Sequence, residues 1–412
     1  MLNILKIKAN GYKMLEKDFT IDFTAKARVY QEDKDKETIE IDKGLYLFRS
    51  TAIVGSNSSG KTTLLSLINK TFLFLQTGRW EYVQRDYKNN NIELEVVFYL
   101  DGKLYDYSVS FGKITFDNIS PANKYAPILK ENLVSMKYKK TNGIRNLDLL
   151  NIEGIEENNL FVYSLQDTSA ITRITNGKIA VDDFTTNNAS DFNSLLWRET
   201  FFECFNSCGK KLLSSIIKLL DESIEYIELG DLDYVRFKRK NEDEKILTKN
   251  DLVAILSSGT FRGVELYIRS INAIKNGKTM IVDEIENSFQ KNLVYNLLFL
   301  FNDAVINSKN AKLIFSTHYI EILDYLNRRD DIFIMHQENG YINIKNLYSD
   351  YDVRTELLKS KQFDNNVFST ALNYEQLLTV RRNLVDELHS HNDWMAKLKG
   401  VYCIYARIFE EC

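Results

Sequence analysis

Proline, cysteine and histidine are scarce in this chain, whose 412 residues include two prolines, four cysteines and four histidines. So few cysteines fit a reducing compartment, where stabilising disulfides are rare. Cys204 and Cys208 are one helical turn apart, but no two further metal ligands follow nearby, so we expect ordinary thiols there. His389 and His391, with Cys403 downstream, are an equally weak metal pattern and fit a polar helix terminus better.

Long apolar runs and a strong charge bias are also missing. No stretch of about 18 consecutive apolar residues exists, so the sequence predicts no membrane span. Residues 1–7 lack the form of a signal peptide and alternate like a strand. The net charge of −4 does not point to nucleic-acid binding, except through a local basic patch. We therefore expect a cytoplasmic globular protein, long enough for two or three domains' worth of core.

The most specific pattern in the chain lies between residues 53 and 65. Residues 55–62, Gly-Ser-Asn-Ser-Ser-Gly-Lys-Thr, match the phosphate-binding loop G-x-x-x-x-G-K-[ST]. Two strand runs, 45–48 and 51–54, precede the loop, and residues 63–68 follow with the apolar spacing of a helix. This context favours a phosphate-binding loop over a plain glycine-serine turn.

The chemistry of such a loop assigns roles to its residues. Glycines let successive N–H groups turn inward, and the following helix directs its positive end at the same anion. We expect Lys61 to reach the β- and γ-phosphates of ATP and Thr62 to ligate Mg²⁺. The predicted nucleotide contacts are Gly55, Ser56, Asn57, Ser58, Ser59, Gly60, Lys61, Thr62 and Thr63.

Two later strands are predicted to end in polar, reactive side chains. Asp283 and Glu284 follow the apolar run 279–282, and His318 ends the run 312–317. An Asp-Glu pair at a strand end is commonplace by itself, but carboxyl ends of parallel strands open on one crevice, where the loop would also lie. Asp283 is then placed to ligate Mg²⁺, Glu284 to deprotonate water and His318 to sense the γ-phosphate.

The order of these motifs resembles the ABC-type ATPases, including the SMC and RecF-like members. The resemblance implies a Walker A motif at 55–62, a Walker B motif at 280–284, a D-loop at 286–288 and a switch histidine at His318. It also implies that Ser257 and Gly259 are the signature residues, since Ser257 stands 26 residues before Asp283 as that family's signature helix requires. Two such heads would close face to face on two ATP molecules as a homodimer or higher oligomer, with Ser257 and Gly259 of one head capping the γ-phosphate held by the other.

A narrower resemblance is to bacterial AAA-type ATPases of abortive-infection and phage-defence operons, such as AbiL-like, PARIS-like and retron- or Septu-associated proteins. It covers most of 1–360 and is carried by segments 257–262, 282–288 and 315–323. It implies a sensor ATPase that controls a partner effector, a nuclease encoded in the same operon.

Some positions depart from related families. Ser258 and Thr260 stand where transporters have Gly and Gln, and no proline follows Glu284, which speaks against a transporter subunit. Either Gln76 or Gln84 would serve as the Q-loop glutamine. No N-K-x-D follows the P-loop and no Toprim-like acidic cluster occurs in 351–412, so a GTPase and a fused nuclease are both disfavoured.

We therefore expect an α/β fold, a P-loop NTPase of the ABC-type head kind with an antiparallel β subdomain and a short helical insertion. The predicted boundaries are 1–120 for a first ATPase lobe, 121–244 for the helical or mixed insertion, 245–350 for a second ATPase lobe and 351–412 for a helical tail. An Asp101-Gly102 hairpin belongs to the first lobe, and the charged segment 25–44 is expected to be a solvated loop.

Three roles compete on the sequence alone. They are a defence ATPase that controls an effector, a DNA-repair ATPase that clamps DNA, and a scaffold that binds ATP without turnover. The basic runs 137–140 and 236–240 are either DNA contacts or solvated edges. The short insertion and the acidic balance favour the first role over the second.

Overall fold

The structure, a computed structural model, divides into two compact units, residues 1–368 and 369–412. It describes residues 1–87, 91–113, 125–138, 168–184, 202, 209–230, 234–287, 290–352, 357–370 and 374–389. The strands of the first unit are β1 Asn3–Asn10, β2 Phe19–Asp22, β3 Thr38–Asp42, β4 Leu45–Phe48, β5 Ser50–Gly55, β6 Ile92–Leu100, β7 Lys103–Phe111, β8 Ile128–Lys137, β9 Val181–Phe184, β10 Ile224–Leu229, β11 Tyr234–Arg239, β12 Lys245–Thr248, β13 Thr279–Val282, β14 Lys312–Ser316, β15 Ile332–Glu338 and β16 Tyr341–Asn346. Its helices are α1 Gln31–Lys36, α2 Lys61–Thr77, α3 Thr172–Thr175, α4 Lys210–Leu220, α5 Lys249–Ile255, α6 Ser258–Asn276, α7 Lys291–Asn302 and α8 Lys359–Asp364, with 3₁₀ turns at Gln84–Asp86 and Ile320–Asp324.

A six-stranded sheet of order β16-β15-β5-β14-β13-β9 forms the centre of the first unit. All its pairings are parallel except that of β16, which returns antiparallel from β15. Strands β5 and β13 are almost wholly buried, as expected for parallel strands covered on both faces. Because β14 lies between β5 and β13, the carboxyl ends of these three strands meet at one edge of the sheet.

A five-stranded antiparallel sheet of order β2-β1-β6-β7-β8 forms the second layer. The predicted hairpin is present: β6 and β7 pair over Asp101 and Gly102, whose φ angles are +50° and +81°. The core of this sheet continues into the buried face of α2, including Leu64, Leu65 and Ile68. Helix α2 is therefore fixed by apolar packing on its length, with its first turn left at the edge of the parallel sheet.

A smaller antiparallel sheet, β10-β11-β12, shares an apolar cluster with helices α4, α5 and α6. The basic run 236–240 lies on β11 and just after it. Phe237 is buried in this cluster, Arg236 pairs with Glu228, and the Lys238 ammonium lies 3.1 Å from Glu225. Two cations of the run are thus matched by carboxylates of the neighbouring strand, which lowers the positive potential available to DNA.

The α/β fold class predicted from the sequence, with an antiparallel β subdomain beside a mainly parallel sheet, is confirmed by this arrangement. The finer assignment to a P-loop ABC-type head stays a prediction. The predicted domain boundaries stay predictions. Within the span 121–244, β8 pairs with β7 of the antiparallel sheet and β9 pairs with β13 of the parallel sheet. The described part of that span therefore adds edge strands to both main sheets.

The prediction of a solvated loop over residues 25–44 is wrong about the loop, although helix α1 within the segment has no buried residue and its charged run is solvated as predicted. The segment contains α1 and β3, and the buried Arg328 contacts Asp33 at 2.9 Å and Asp330 at 2.7 Å. A buried guanidinium needs carboxylate partners, so tertiary pairing organises a segment that looks merely hydrophilic in sequence.

The second unit contributes helix α9, Tyr374–His389, to the described residues. Leu377, Val380, Leu384 and Leu388 follow the predicted helical spacing and are exposed. Cys204, Cys208, His391 and Cys403 lie outside the described residues. None of the helices in the described ranges is long and apolar enough to cross a membrane.

Candidate functional site

The loop after β5 has a backbone that only certain residues adopt. Gly55 has φ +155°, and a Cβ there would lie 2.6 Å from both the Met335 carbonyl oxygen and Ser59 Oγ. Gly60 has φ +99°, and a Cβ there would lie 2.6 Å from Ile342 Cδ1. Both glycines of the motif are therefore required by backbone geometry and by close neighbours.

The loop also offers unused hydrogen-bonding groups. Among the described protein atoms, the buried Ser59 Oγ has no hydrogen-bond partner. Asn57 and Ser58 are exposed, and Ser56 and Thr63 are half-buried at the two ends of the loop. Helix α2 begins with Gly60 at its N-cap and no side-chain cap, so its first-turn N–H groups remain available to an anion. These features fit a phosphate group.

Lys61 spans the loop that precedes it. Its buried ammonium donates to the carbonyl oxygens of Gly55 at 2.9 Å and Ser56 at 3.0 Å. Burial lowers the pKa of Lys61, and the nearby carboxylates of Asp283 and Glu284 oppose that shift. A cation held only by neutral carbonyls, with carboxylates nearby, is well placed to exchange those carbonyls for phosphate oxygens.

Thr62 and Asp283 bring two separate motifs together. Thr62 Oγ1 donates to Asp283 Oδ2 at 2.7 Å, and the other Asp283 oxygen, Oδ1, accepts a short hydrogen bond from Ser316 Oγ. Hydroxyl and carboxylate oxygens are the ligands that Mg²⁺ prefers. The side chains predicted to hold the metal therefore lie together and suit that ion.

Glu284 has an unusual backbone, with φ +50°. Its N–H donates to Ser316 Oγ at 2.8 Å, and its half-exposed carboxylate lies 3.9 Å from His318 Nε2. Asn287 Nδ2 donates to the other carboxylate oxygen at 3.4 Å. A non-glycine residue held at positive φ next to reactive groups is typical of functional sites. The geometry brings Glu284 and His318 together as the sequence predicts.

Motif reading gave Ser316 no role and placed Glu286 only in the D-loop segment 286–288. Ser316 is fully buried and contacts both Asp283 and Glu284. Glu286, also buried, accepts the backbone N–H of His318 at 2.6 Å. In the sequence, Ser316 is recognisable only as a polar residue at the end of an apolar strand. The sequence of a strand does not say which neighbouring strand its last side chain will contact.

Ser257 is the N-cap of helix α6. Its Oγ accepts the N–H of Thr260 at 3.0 Å, and Gly259 lies in the first turn. Ser257 is exposed. Burial lowers the pKa of Arg262, which lies one turn later, and the nearby Glu284 carboxylate opposes that shift. The predicted helix start is therefore present, and the role of Ser257 across a dimer stays a prediction.

The two candidate Q-loop glutamines lie away from the phosphate loop. Gln76 is in the last turn of α2, about 22 Å along the axis from Lys61 at 1.5 Å per residue. Gln84 opens a 3₁₀ turn whose Asp86 pairs with Lys70, more than two turns into α2. The choice between these glutamines remains open.

Comparison with known proteins gives structural similarity only. No family model matches the chain, and no curated protein matches it. Among solved structures, the SMC head domain from Thermotoga maritima is similar with a TM-score of 0.42 and 14% identity, over 84% of this chain and 98% of that chain. An SMC head bound to the C-terminal winged-helix domain of ScpA is similar with a TM-score of 0.44 and 13% identity, over 84% of this chain and 97% of that one.

Proposed function

We propose that this protein is a Mg²⁺-dependent ATPase. One observation carries the proposal: the hydroxyl of Thr62, directly after the phosphate-loop lysine, is hydrogen bonded to Asp283, and Glu284 follows with its carboxylate beside His318. Phosphate-binding groups, metal-ligating oxygens and a general base therefore occupy one edge of one sheet. A phosphate-binding loop without turnover would not need that last group.

The residues divide the work of phosphoryl transfer to water. The N–H groups of the loop and the first turn of α2 bind the phosphates, and Lys61 moves from the carbonyls of Gly55 and Ser56 to the β- and γ-phosphates. Thr62 and Asp283 would hold Mg²⁺, which would supply neutralising charge for the phosphates. Glu284 takes a proton from the attacking water, and His318 donates to the γ-phosphate.

The active form is proposed to be a homodimer closed by ATP. Ser257 is exposed at the N-terminus of the 19-residue helix α6, where backbone N–H groups and the helix dipole favour an anion. The γ-phosphate bound by a second copy would supply that anion. Ser257 and Gly259 would then complete the partner's site.

For the biological role we favour a cytoplasmic sensor ATPase of an anti-phage defence system that controls a nuclease effector. The support is the motif resemblance in segments 257–262, 282–288 and 315–323. The alternative of a DNA clamp is weakened by the pairing of Arg236 with Glu228 and of Lys238 with Glu225. The basic run 137–140 lies partly outside the described residues, so the alternative of a DNA clamp stays open for that run.

The test is phosphate release by the purified full chain with ATP, in Mg²⁺ and in EDTA. We expect Mg²⁺-dependent release, nucleotide affinity lowered at least about 100-fold in Lys61→Ala, and turnover lowered at least about 100-fold in Glu284→Gln with binding retained. The exposed Lys275→Ala, on α6, is the matched control and should behave as wild type.

Three outcomes would contradict the proposal or its parts. Unchanged ATP affinity in Lys61→Ala would overturn the phosphate-loop assignment. ATP binding without phosphate release by the wild type would favour the scaffold. Salt-dependent DNA gel shifts at micromolar protein would favour the clamp over the effector-controlling role.

A further inference from the structure

We propose that Ser316 is a positioning residue that fixes the geometry of both acidic residues of the site. This inference rests on the proposed ATPase function. It adds a residue of strand β14 to the residues on which that function depends. Ser316 is the last residue of β14, pairs with Ile53 of β5, and has no exposed surface. It lies between the strand that leads into the phosphate loop and the strand that ends at Asp283.

One serine contacts three consecutive residues of the neighbouring segment. Its Oγ bonds to the Asp283 carboxylate and to the Glu284 N–H, and its carbonyl oxygen accepts the Ile285 N–H at 3.0 Å. The direction of these bonds is determined by chemistry. A backbone N–H can only donate, so Oγ accepts from Glu284 and gives its single proton to Asp283. No other arrangement of that hydroxyl proton satisfies both neighbours.

The hydrogen bond from Ser316 is the second of two that hold the Asp283 carboxylate. Oδ1 accepts from Ser316 and Oδ2 accepts from Thr62. The carboxylate is thus held from the β14 side and from the α2 side, with both oxygens assigned. Without the Ser316 hydroxyl, only the Thr62 contact would restrain rotation about the Cβ–Cγ bond. The metal-ligating oxygen would lose its defined direction.

The bond to Glu284 holds a conformation that the residue would otherwise avoid. A non-glycine residue at φ +50° is strained and persists only where neighbours hold it. The Ser316 Oγ is the acceptor for the N–H of that residue. The left-handed turn directs the Glu284 carboxylate toward His318. Ser316 therefore acts on the general base through the backbone, not by touching the nucleotide.

The test compares Ser316→Ala, Ser316→Thr and wild type. In Ser316→Ala we expect ATP affinity in EDTA within about threefold of wild type, kcat lowered about 10- to 100-fold, and a higher Mg²⁺ concentration for half-maximal rate. The threonine variant keeps the hydroxyl and should recover most of kcat. Thr71→Val is the matched control, since it removes an equally buried hydroxyl, bonded to the Leu67 carbonyl inside α2, and should leave kcat unchanged.

A second readout is independent of catalysis. Hydrogen exchange of peptides covering 281–287, measured without nucleotide, should be faster in Ser316→Ala, because the Glu284 amide loses its acceptor, and unchanged in Thr71→Val. Equal kcat in Ser316→Ala and wild type, or unchanged exchange in those peptides, would overturn the inference. A folded Ser316→Thr that is as inactive as Ser316→Ala would do the same. If the wild type releases no phosphate, the proposed function fails, and the exchange result still decides whether Ser316 holds the acidic segment.

Discussion

Thr62 and Asp283 are 221 residues apart in sequence and share a hydrogen bond of 2.7 Å between Oγ1 and Oδ2. The bond joins the first turn of α2 to the end of β13. It places a hydroxyl and a carboxylate oxygen where one divalent cation can bind both. The proposed magnesium dependence therefore rests on two distant segments that fold against each other.

Thr62→Ala should raise the Mg²⁺ concentration needed for half-maximal ATP hydrolysis by about tenfold or more, because one ligand oxygen and a restraint on Asp283 are lost together. Thr62→Ser keeps the hydroxyl and is the matched control. Phosphate release measured over a Mg²⁺ titration checks this. Equal titration curves for the alanine and serine variants would place the metal elsewhere.

Glu284→Gly should be about 0.5–1 kcal/mol more stable than Glu284→Ala, because glycine adopts φ +50° without the steric strain that alanine has there. This difference already allows for the larger conformational entropy that glycine loses on folding. Both variants should lack hydrolysis. Urea unfolding gives the comparison. The same pair at Lys275, inside α6, should show the opposite order. A glycine variant less stable than alanine at both positions would mean that Glu284 is not in this conformation in solution.

Ser257→Arg should bind ATP normally but fail to dimerise, since the arginine adds bulk where the helix N-terminus meets the second copy. Hydrolysis should fall without loss of affinity. Mixing this variant with Lys61→Ala leaves one intact composite site per heterodimer. The hydrolysis rate per dimer should return to at most about half of the wild-type rate if the two sites act independently.

The shared-site hypothesis fails if a monomeric Ser257→Arg hydrolyses ATP at the wild-type rate. Sedimentation of each variant with ATP, alone and mixed, separates loss of dimerisation from loss of folding. Recovery on mixing, with neither variant active alone, would require that each site uses residues of two chains.

Asp106→Asn should be more stable than wild type at pH 7 by about 1–2 kcal/mol and equal to it near pH 4. Burial, with a contribution from Glu95, raises the Asp106 pKa to about 6. Between the ordinary value of 3.8 and about 6, the folded chain holds a proton that the unfolded chain has lost, so this group stabilises the fold as the pH falls through that window. The magnitude is reduced for a half-buried group.

Urea unfolding of both proteins at pH 4 and pH 7 checks this prediction. The other titrating groups are common to the two proteins and cancel in the difference. A stability difference that does not change with pH would mean that the Asp106 carboxyl titrates normally in the folded state.

The sequence by itself determined the parts of this protein that depend on local geometry. The phosphate loop was readable because Gly55 and Gly60 need backbone angles that other residues resist, within a strand and a helix whose apolar spacing is visible in the chain. The hairpin at Asp101-Gly102 was readable for the same reason, since both central residues have positive φ. Asp283, Glu284 and His318 were found because each lies within two residues of the end of an apolar strand.

The tertiary structure alone decided which strand ends lie next to each other. Insertion of β14 between β5 and β13 gives Ser316 its two acidic neighbours, and no spacing in the sequence specifies that strand order. Segment 25–44 is joined to the rest of the unit by Asp33, which contacts the buried Arg328, 295 residues later. Local preferences act over a few residues, whereas strand order and buried ion pairs depend on contacts between distant segments, which form only when the whole unit packs.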